Sequence, residues 1–404
     1  MVVGITIWVL ASLASSFVSA NSYWLFLLLR GIVGIGEASY STVAPTIIGD
    51  LFATSVRSRA LMFFYFAIPI GSGMGYIISS TVASLLGGWQ WGLRVTPILG
   101  IIFIVLVIIL MNEPKRGEAE NAYPNNIEQT SYWEDIKAIL TIPTYVYTTF
   151  AYTSVVFVTG TLSWWGPTAI EHSVAMKQNL NSTHELSNEE KNNISLIFGI
   201  ITLTGGILGV SGGTILSQLW SHGKWCCKAF KTNRANALVC AMGSIFAVPF
   251  LFFGLNTTDI NQAWILIFLT VISLCLNWAV NVDLLLDIIV PQRRSVANSW
   301  QILISHLFGD AFGAYIIGLA SDWIRGSATD PAASYQSLAQ AFYICNVILI
   351  ISIILFSAAA MNFVNDRKKF LQQIGHHSKY DNTKAKYNGK VVDIGNGARN
   401  NAFQ

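Results

Sequence analysis

Arg30 and Glu37 stand seven residues apart in the apolar stretch "LLLRGIVGIGEASYS". Seven residues make two helical turns, so on a helix both side chains share a face, about 10 Å apart along the axis. A guanidinium can grip a phosphate or carboxylate through two parallel hydrogen bonds. A carboxyl in such a place is pulled one way by burial and the other by the arginine, which suits it to take up and release a proton. Tyr40 and Ser41 continue the polar face, and Gly31, Gly34 and Gly36 keep the helix thin. A static Arg–Glu link between helices is the competing account.

A second set lies far down the chain. "LCLNWAVNVDLLLD" carries Asn277, Asn281 and Asp283, and "SWQILISHLFGDAFG" carries Gln301, His306 and Asp310. His306 and Asp310 are four apart, the spacing of helical neighbours, so they can pair and titrate together. Asn281 and Trp164 join Arg30 and Tyr40 as candidate binding groups; for Trp164 and Trp165 a cavity wall and an interfacial aromatic belt remain alternatives. The "GSGMG" run at 71–75 follows Pro69 inside an apolar span. It lacks the strand-to-helix turn of a phosphate loop, so it reads as helix packing or a hinge. No nucleophile–base pair, metal-ligand spacing or Walker motif is evident, and no catalytic residue, cofactor or metal is expected.

The elements that carry these residues follow from composition. Of 404 residues, 53% are hydrophobic and 11% charged, and mean hydropathy is +0.52. Soluble domains carry about a quarter charged residues, so the chain is an all-α integral membrane protein and not a nucleic-acid binder. Its five cysteines show no paired spacing, which argues against a disulfide framework. Cys226 and Cys227 sit beside basic residues, where palmitoylation competes with an idle reduced pair.

Ten stretches approach the roughly 20 apolar residues a crossing needs: 2–19, 24–48, 60–85, 92–112, 144–170, 194–218, 235–255, 262–286, 296–320 and 336–363. They divide the chain into an N-terminal bundle of four spans (1–112), a cytoplasmic central loop (113–143), a six-span C-terminal bundle (144–365) and a disordered cytoplasmic tail (366–404). Val-Ser-Ala at 18–20 would serve as a signal-peptide cleavage site, but no basic residue precedes the apolar run, and a span is the reading adopted. Nineteen Lys/Arg fall on one side of the alternating loops and three (Lys177, Lys191, Arg325) on the other. The basic side is the cytoplasm. The sequons at Asn181 and Asn256 fall on the opposite side, where glycans are added.

"GDLFATSVRSRA" and "LDIIVPQRRSVA" both read D-x6-R-S-x-A, offset by 237 residues and in the same topological sense. A parallel repeat of this kind relates the halves of major facilitator transporters. Asp50 with Arg57, and Asp287 with Arg294, are expected to pair within each copy, either as a conformational latch or as static helix-end pairs.

With "RGIVGIGEASYSTVAPTIIGDLF", "RSRALMFFYFAIPIGSGMGYI", "LRVTPILG", "EPKRG" and "SWQILISHLFGDAFG" in hand, the chain resembles the spinster family of the major facilitator superfamily from residue 1 to about 365. The resemblance implies a secondary-active carrier of lysophospholipids or sphingoid lipids such as sphingosine 1-phosphate, in lysosomal, late endosomal or plasma membranes. It implies that Arg30 lies in the lipid cavity and that Glu37 takes part in proton sensing. By the same likeness residue 1 falls in the third of twelve helices, so about ten are expected. A non-transporting form that binds lipid or a full-length relative, and a carrier of small organic anions or sugars, are the rival functions. Lipid, protons and the membrane are the expected partners; transport direction and oligomeric state are left open.

Overall fold

The computed structural model describes residues 1–19, 21–52, 54–110, 131–223, 231–257 and 259–387. These are helical nearly throughout, with no strand among them. The first half comprises α1 (Val2–Ser15), α2 (Tyr23–Ser41), α3 (Ala44–Leu51), α4 (Thr54–Tyr65), α5 (Ala67–Leu86) and α6 (Trp89–Leu110). A short helix, α7 (Tyr132–Leu140), leads into the second half. There follow α8 (Pro143–Lys177), α9 (Asn188–His222), α10 (Ala235–Asn256), α11 (Ile260–Cys275) and α12 (Trp278–Leu286). The chain ends with α13 (Pro291–Ser305), a π turn (His306–Ala311), α14 (Phe312–Arg325), α15 (Pro331–Ala341) and α16 (Tyr343–Tyr387).

Among the described residues, seven helical runs are long and apolar enough to cross a membrane. The other three expected spans fall to α1, which is apolar but only 14 residues long, to α2 with α3, and to α8. Helix α8 is long enough but rich in hydroxyls. Thr148, Thr153 and Thr159 donate to carbonyls four residues back at 2.8, 2.8 and 3.0 Å, so they are satisfied inside the bundle without lowering its stability much.

Helix ends are set by local chemistry. Ser187 and Glu190 form a reciprocal box that opens α9, with the Ser187 hydroxyl accepting from the Glu190 N–H at 3.2 Å. Gly223, with φ of 65°, closes α9 in a conformation costly for other residues. At the start of α8, the Thr144 N–H and hydroxyl both donate to Asp366 at 3.0 and 2.7 Å, tying α16 to α8.

The large buried aromatics Phe198, Phe342, Phe356 and Phe363 all belong to the second half, which packs α8 against α16 and α10 against α11. The halves join along α5 and α9. A Cβ placed on Gly73 would lie 2.6 Å from the Gly199 carbonyl, and one on Gly199 would lie 2.8 Å from the Gly73 carbonyl. Backbones that close need glycine on both sides. The Tyr76 hydroxyl donates to the Ser163 carbonyl at 2.6 Å beside this seam.

Two expectations shift here. The polar tail reads as unstructured from 366, yet α16 continues to Tyr387, helped by Phe370, which is largely buried, and by proline-free sequence. Within the expected central loop, 131–140 contains α7, pinned to α13 by Arg293 Nε–Asp135 Oδ1 at 2.9 Å and by Trp300 Nε1–H donating to the Tyr132 hydroxyl at 3.0 Å. Residues 113–130, 388–404 and the Cys226–Cys227 pair lie outside the described residues; Cys240, Cys275 and Cys345 are free and buried.

Candidate functional site

Arg30 and Glu37 share α2 as the spacing requires, but their surroundings differ. Arg30 is half-buried, donates through Nη2 to the Ser15 hydroxyl on α1, and stacks 5.5 Å from the Phe26 ring centroid. Its Nε is buried and without a hydrogen-bond partner. A second arginine, Arg94 of α6, holds the end of α1 by donating to the Ser16 hydroxyl at 3.1 Å. Glu37 is exposed two turns along α2, and Tyr40 is half-buried one turn further on.

His306 and Asp310 pair as expected, Nδ1 to Oδ2 at 2.9 Å, with both side chains open. They sit on the π turn, whose wider i→i+5 bonding is a device concentrated at functional sites. The turn presses onto α8 at Gly160, where any Cβ would collide with Asp310. Glu37 is near enough to His306 to act on it electrostatically, and Asp310 acts likewise on Tyr152 of α8. Acid–base groups of both halves thus come within electrostatic range of one another, Glu37 from the first and the His306–Asp310 pair from the second.

The repeat-motif residues assemble differently from the expectation. Arg57 does not pair within its own copy alone: Nε reaches Asp283 at 2.9 Å and Nη2 reaches Asp287 at 2.8 Å, both in the other half. The Ser58 hydroxyl donates to Asp283 at 2.6 Å. Helix α4 packs directly on α12 here. On the pseudo-equivalent side, Arg294 Nη1 is 3.9 Å from the Cβ position of Gly49, next to Asp50 on α3. Arg294 also donates to the carbonyls of Leu286 and Ile289 at 2.8 and 3.1 Å. Asn298 adds a bond to the Thr42 carbonyl at 2.9 Å. The halves are therefore clamped at the end that the Lys/Arg asymmetry assigns to the cytoplasm.

Two binding candidates sit apart from this space. Asn281 is fully buried, and its amide donates to Gln301 at 2.9 Å between α12 and α13. Trp164 is 72% exposed, whereas its neighbour Trp165 docks by donating to the Ala314 carbonyl at 2.8 Å. Asp283, central to the clamp, is a residue the repeat does not flag, because the position 237 earlier is Thr46. Its spacing of four from Asp287 was the available signal.

The sequence pattern of the Major Facilitator Superfamily matches residues 1–307. "Protein spinster homolog 1" of Xenopus tropicalis is 44% identical over 374 residues, 91% of this chain and 69% of that protein. The chain belongs to the spinster family. The mouse "Sphingosine-1-phosphate transporter SPNS2" is 40% identical over 92% of this spinster chain and 66% of its own length. A crystal structure of a bacterial homolog of human lysosomal spinster, inward-facing and occupied, superposes with a TM-score of 0.64. It is 17% identical and covers 91% of this chain and 83% of its own, a likeness of fold. The spinster chain is thus a multi-pass membrane protein with a transporter's architecture.

The sequons at Asn181 and Asn256 of this spinster chain are not equivalent. Both are exposed, but the Asn256 amide donates to the Phe252 carbonyl and accepts from the Tyr343 hydroxyl, both at 2.7 Å. Asn181→Gln is expected to remove most of any glycan-dependent gel shift and Asn256→Gln little of it; the reverse pattern would contradict this ranking.

Proposed function

We propose that this spinster-family chain carries single-tailed anionic lipids, lysophospholipids or sphingoid phosphates, by proton-coupled alternating access. The observation that carries the reading is the unpartnered, buried Nε of Arg30 on an apolar helix that also carries Glu37. A phosphate would satisfy that nitrogen, and the aliphatic and aromatic walls would take the tail. Glu37, His306 and Asp310 are the groups able to take up a proton as access alternates, and the clamp of Arg57 on Asp283 and Asp287 closes the cytoplasmic side of the cycle. Asn281 contributes by holding α12 to α13, and Trp164 by lining the lipid side. The name of the mouse relative supports a sphingosine 1-phosphate-like cargo, and the bacterial homolog's description supports a lysosomal membrane.

Flux of labelled lysophospholipid into proteoliposomes at two pH values tests it. Saturable flux is expected, and Arg30→Ala should reduce it at least about tenfold, the scale of a hydrogen bond to a charged group, with folded protein retained. Glu37→Gln should flatten the pH dependence. Loss of folded protein in step with flux for Arg30→Ala, or an unaltered pH profile for Glu37→Gln, would overturn the assignment.

A further inference from the structure

The second half carries a polar cluster that the transport reading leaves unused. Helices α8 and α14 run in the same direction and touch closely midway: Trp165 bonds the Ala314 carbonyl, and a Cβ on Gly318 would lie 2.8 Å from the Trp165 ring. Two turns beyond Trp165 stands His172, and two turns beyond Gly318 stands Arg325. Both therefore emerge at the same end of the bundle, on the side opposite the cytoplasmic clamp, and Arg325 acts electrostatically on His172.

Neither group is fully satisfied. His172 Nδ1 and Arg325 Nε are buried atoms with no hydrogen-bond partner. Asp322, the acid nearest Arg325, is already engaged, accepting from Arg325 Nη2 at 2.6 Å. Both side chains remain partly open, so the spot can be reached from outside. Arg325 Nε is a buried donor without an acceptor, which is costly; an oxyanion supplies one, and His172 can join it through its Nδ1–H tautomer.

We propose that His172 and Arg325 form an outer anion site that takes a phosphate or carboxylate group, separate from Arg30. The site does not depend on which cargo the chain carries. The phosphate can come from a lipid headgroup at the outer leaflet or from solution, and the test separates these sources.

Thermal unfolding of the purified full chain is followed with inorganic phosphate and with lysophosphatidate as probes. Arg325→Gln and His172→Gln are each expected to weaken phosphate-group binding about tenfold, while Arg325→Lys loses less. The loss caused by Arg325→Gln is expected to persist in an Arg30→Ala background, which separates failure of the outer site from failure of the transport reading. Weakening for both probes assigns the site to the phosphate group itself. Weakening for lysophosphatidate alone makes the lipid headgroup the source, and weakening for inorganic phosphate alone makes it the free ion. Unchanged affinity for both probes in folded Arg325→Gln and His172→Gln would overturn the proposal.

Discussion

Arg57→Ala is expected to spring the cytoplasmic end open. Asp283 and Asp287 are 6% and 8% exposed, and both depend on the Arg57 guanidinium. Removing one partner of a buried ion pair costs about 3–5 kcal/mol, because the remaining charge stays buried without compensation. The closed arrangement bears that cost, whereas the open one lets water reach the carboxylates. The closed-to-open ratio should therefore fall by roughly two to four decades. Hydrogen exchange in α4 and α12 is the readout, and it should accelerate strongly in Arg57→Ala. Arg57→Lys keeps the charge but lacks the fork that serves two acids, and should lie between. Charge exchange, Arg57→Asp with Asp287→Arg, should recover part of the protection. Unchanged exchange in Arg57→Ala would show that the clamp does not hold the halves.

The second large effect is expected at the seam of α5 and α9. Gly71, Gly73 and Gly75 alternate on one helix, yet only a Cβ on Gly73 meets another helix; at Gly71 and Gly75 nothing lies within 4 Å. Gly→Ala inside a helix gains up to about 1 kcal/mol in propensity. At Gly73 that gain is opposed by a backbone clash with α9, and overpacking costs about 1–3 kcal/mol. The signs should differ: Gly73→Ala lowers the unfolding temperature, while Gly71→Ala and Gly75→Ala leave it unchanged or raise it. The same ordering for all three would mean that the seam can yield.

Much of this architecture is legible in the residues. Apolar runs mark most spans, and the 237-residue offset marks the two-half plan. The seven-residue spacing fixes Arg30 and Glu37 on one face, and the four-residue spacing pairs His306 with Asp310. What could not be read is the partnering across the halves, because the repeat relates each arginine to the aspartate of its own copy and is silent about the other. Asp283 escaped for the same reason, since Thr46 stands where its counterpart would be. Helix α8 is read as a span at 144–170 despite its many threonines, whose hydroxyls the structure satisfies by bonds back to their own helix. Between Trp164 and Trp165 the sequence cannot choose, as consecutive helical residues point about 100° apart; the structure docks Trp165 and leaves Trp164 open.

Helix α16 is longer than any crossing requires. Its 45 residues span about 68 Å, against roughly 30 Å of hydrocarbon. Arg367, Lys368 and Lys369 act as a collar that the acyl region will not admit, so they fix the depth of the rod at the headgroups. The 18 residues from Phe370 to Tyr387 carry the backbone about 27 Å further, roughly three screening lengths at physiological salt. A rod standing upright on that collar would hold Tyr387 beyond the reach of the bilayer's surface potential.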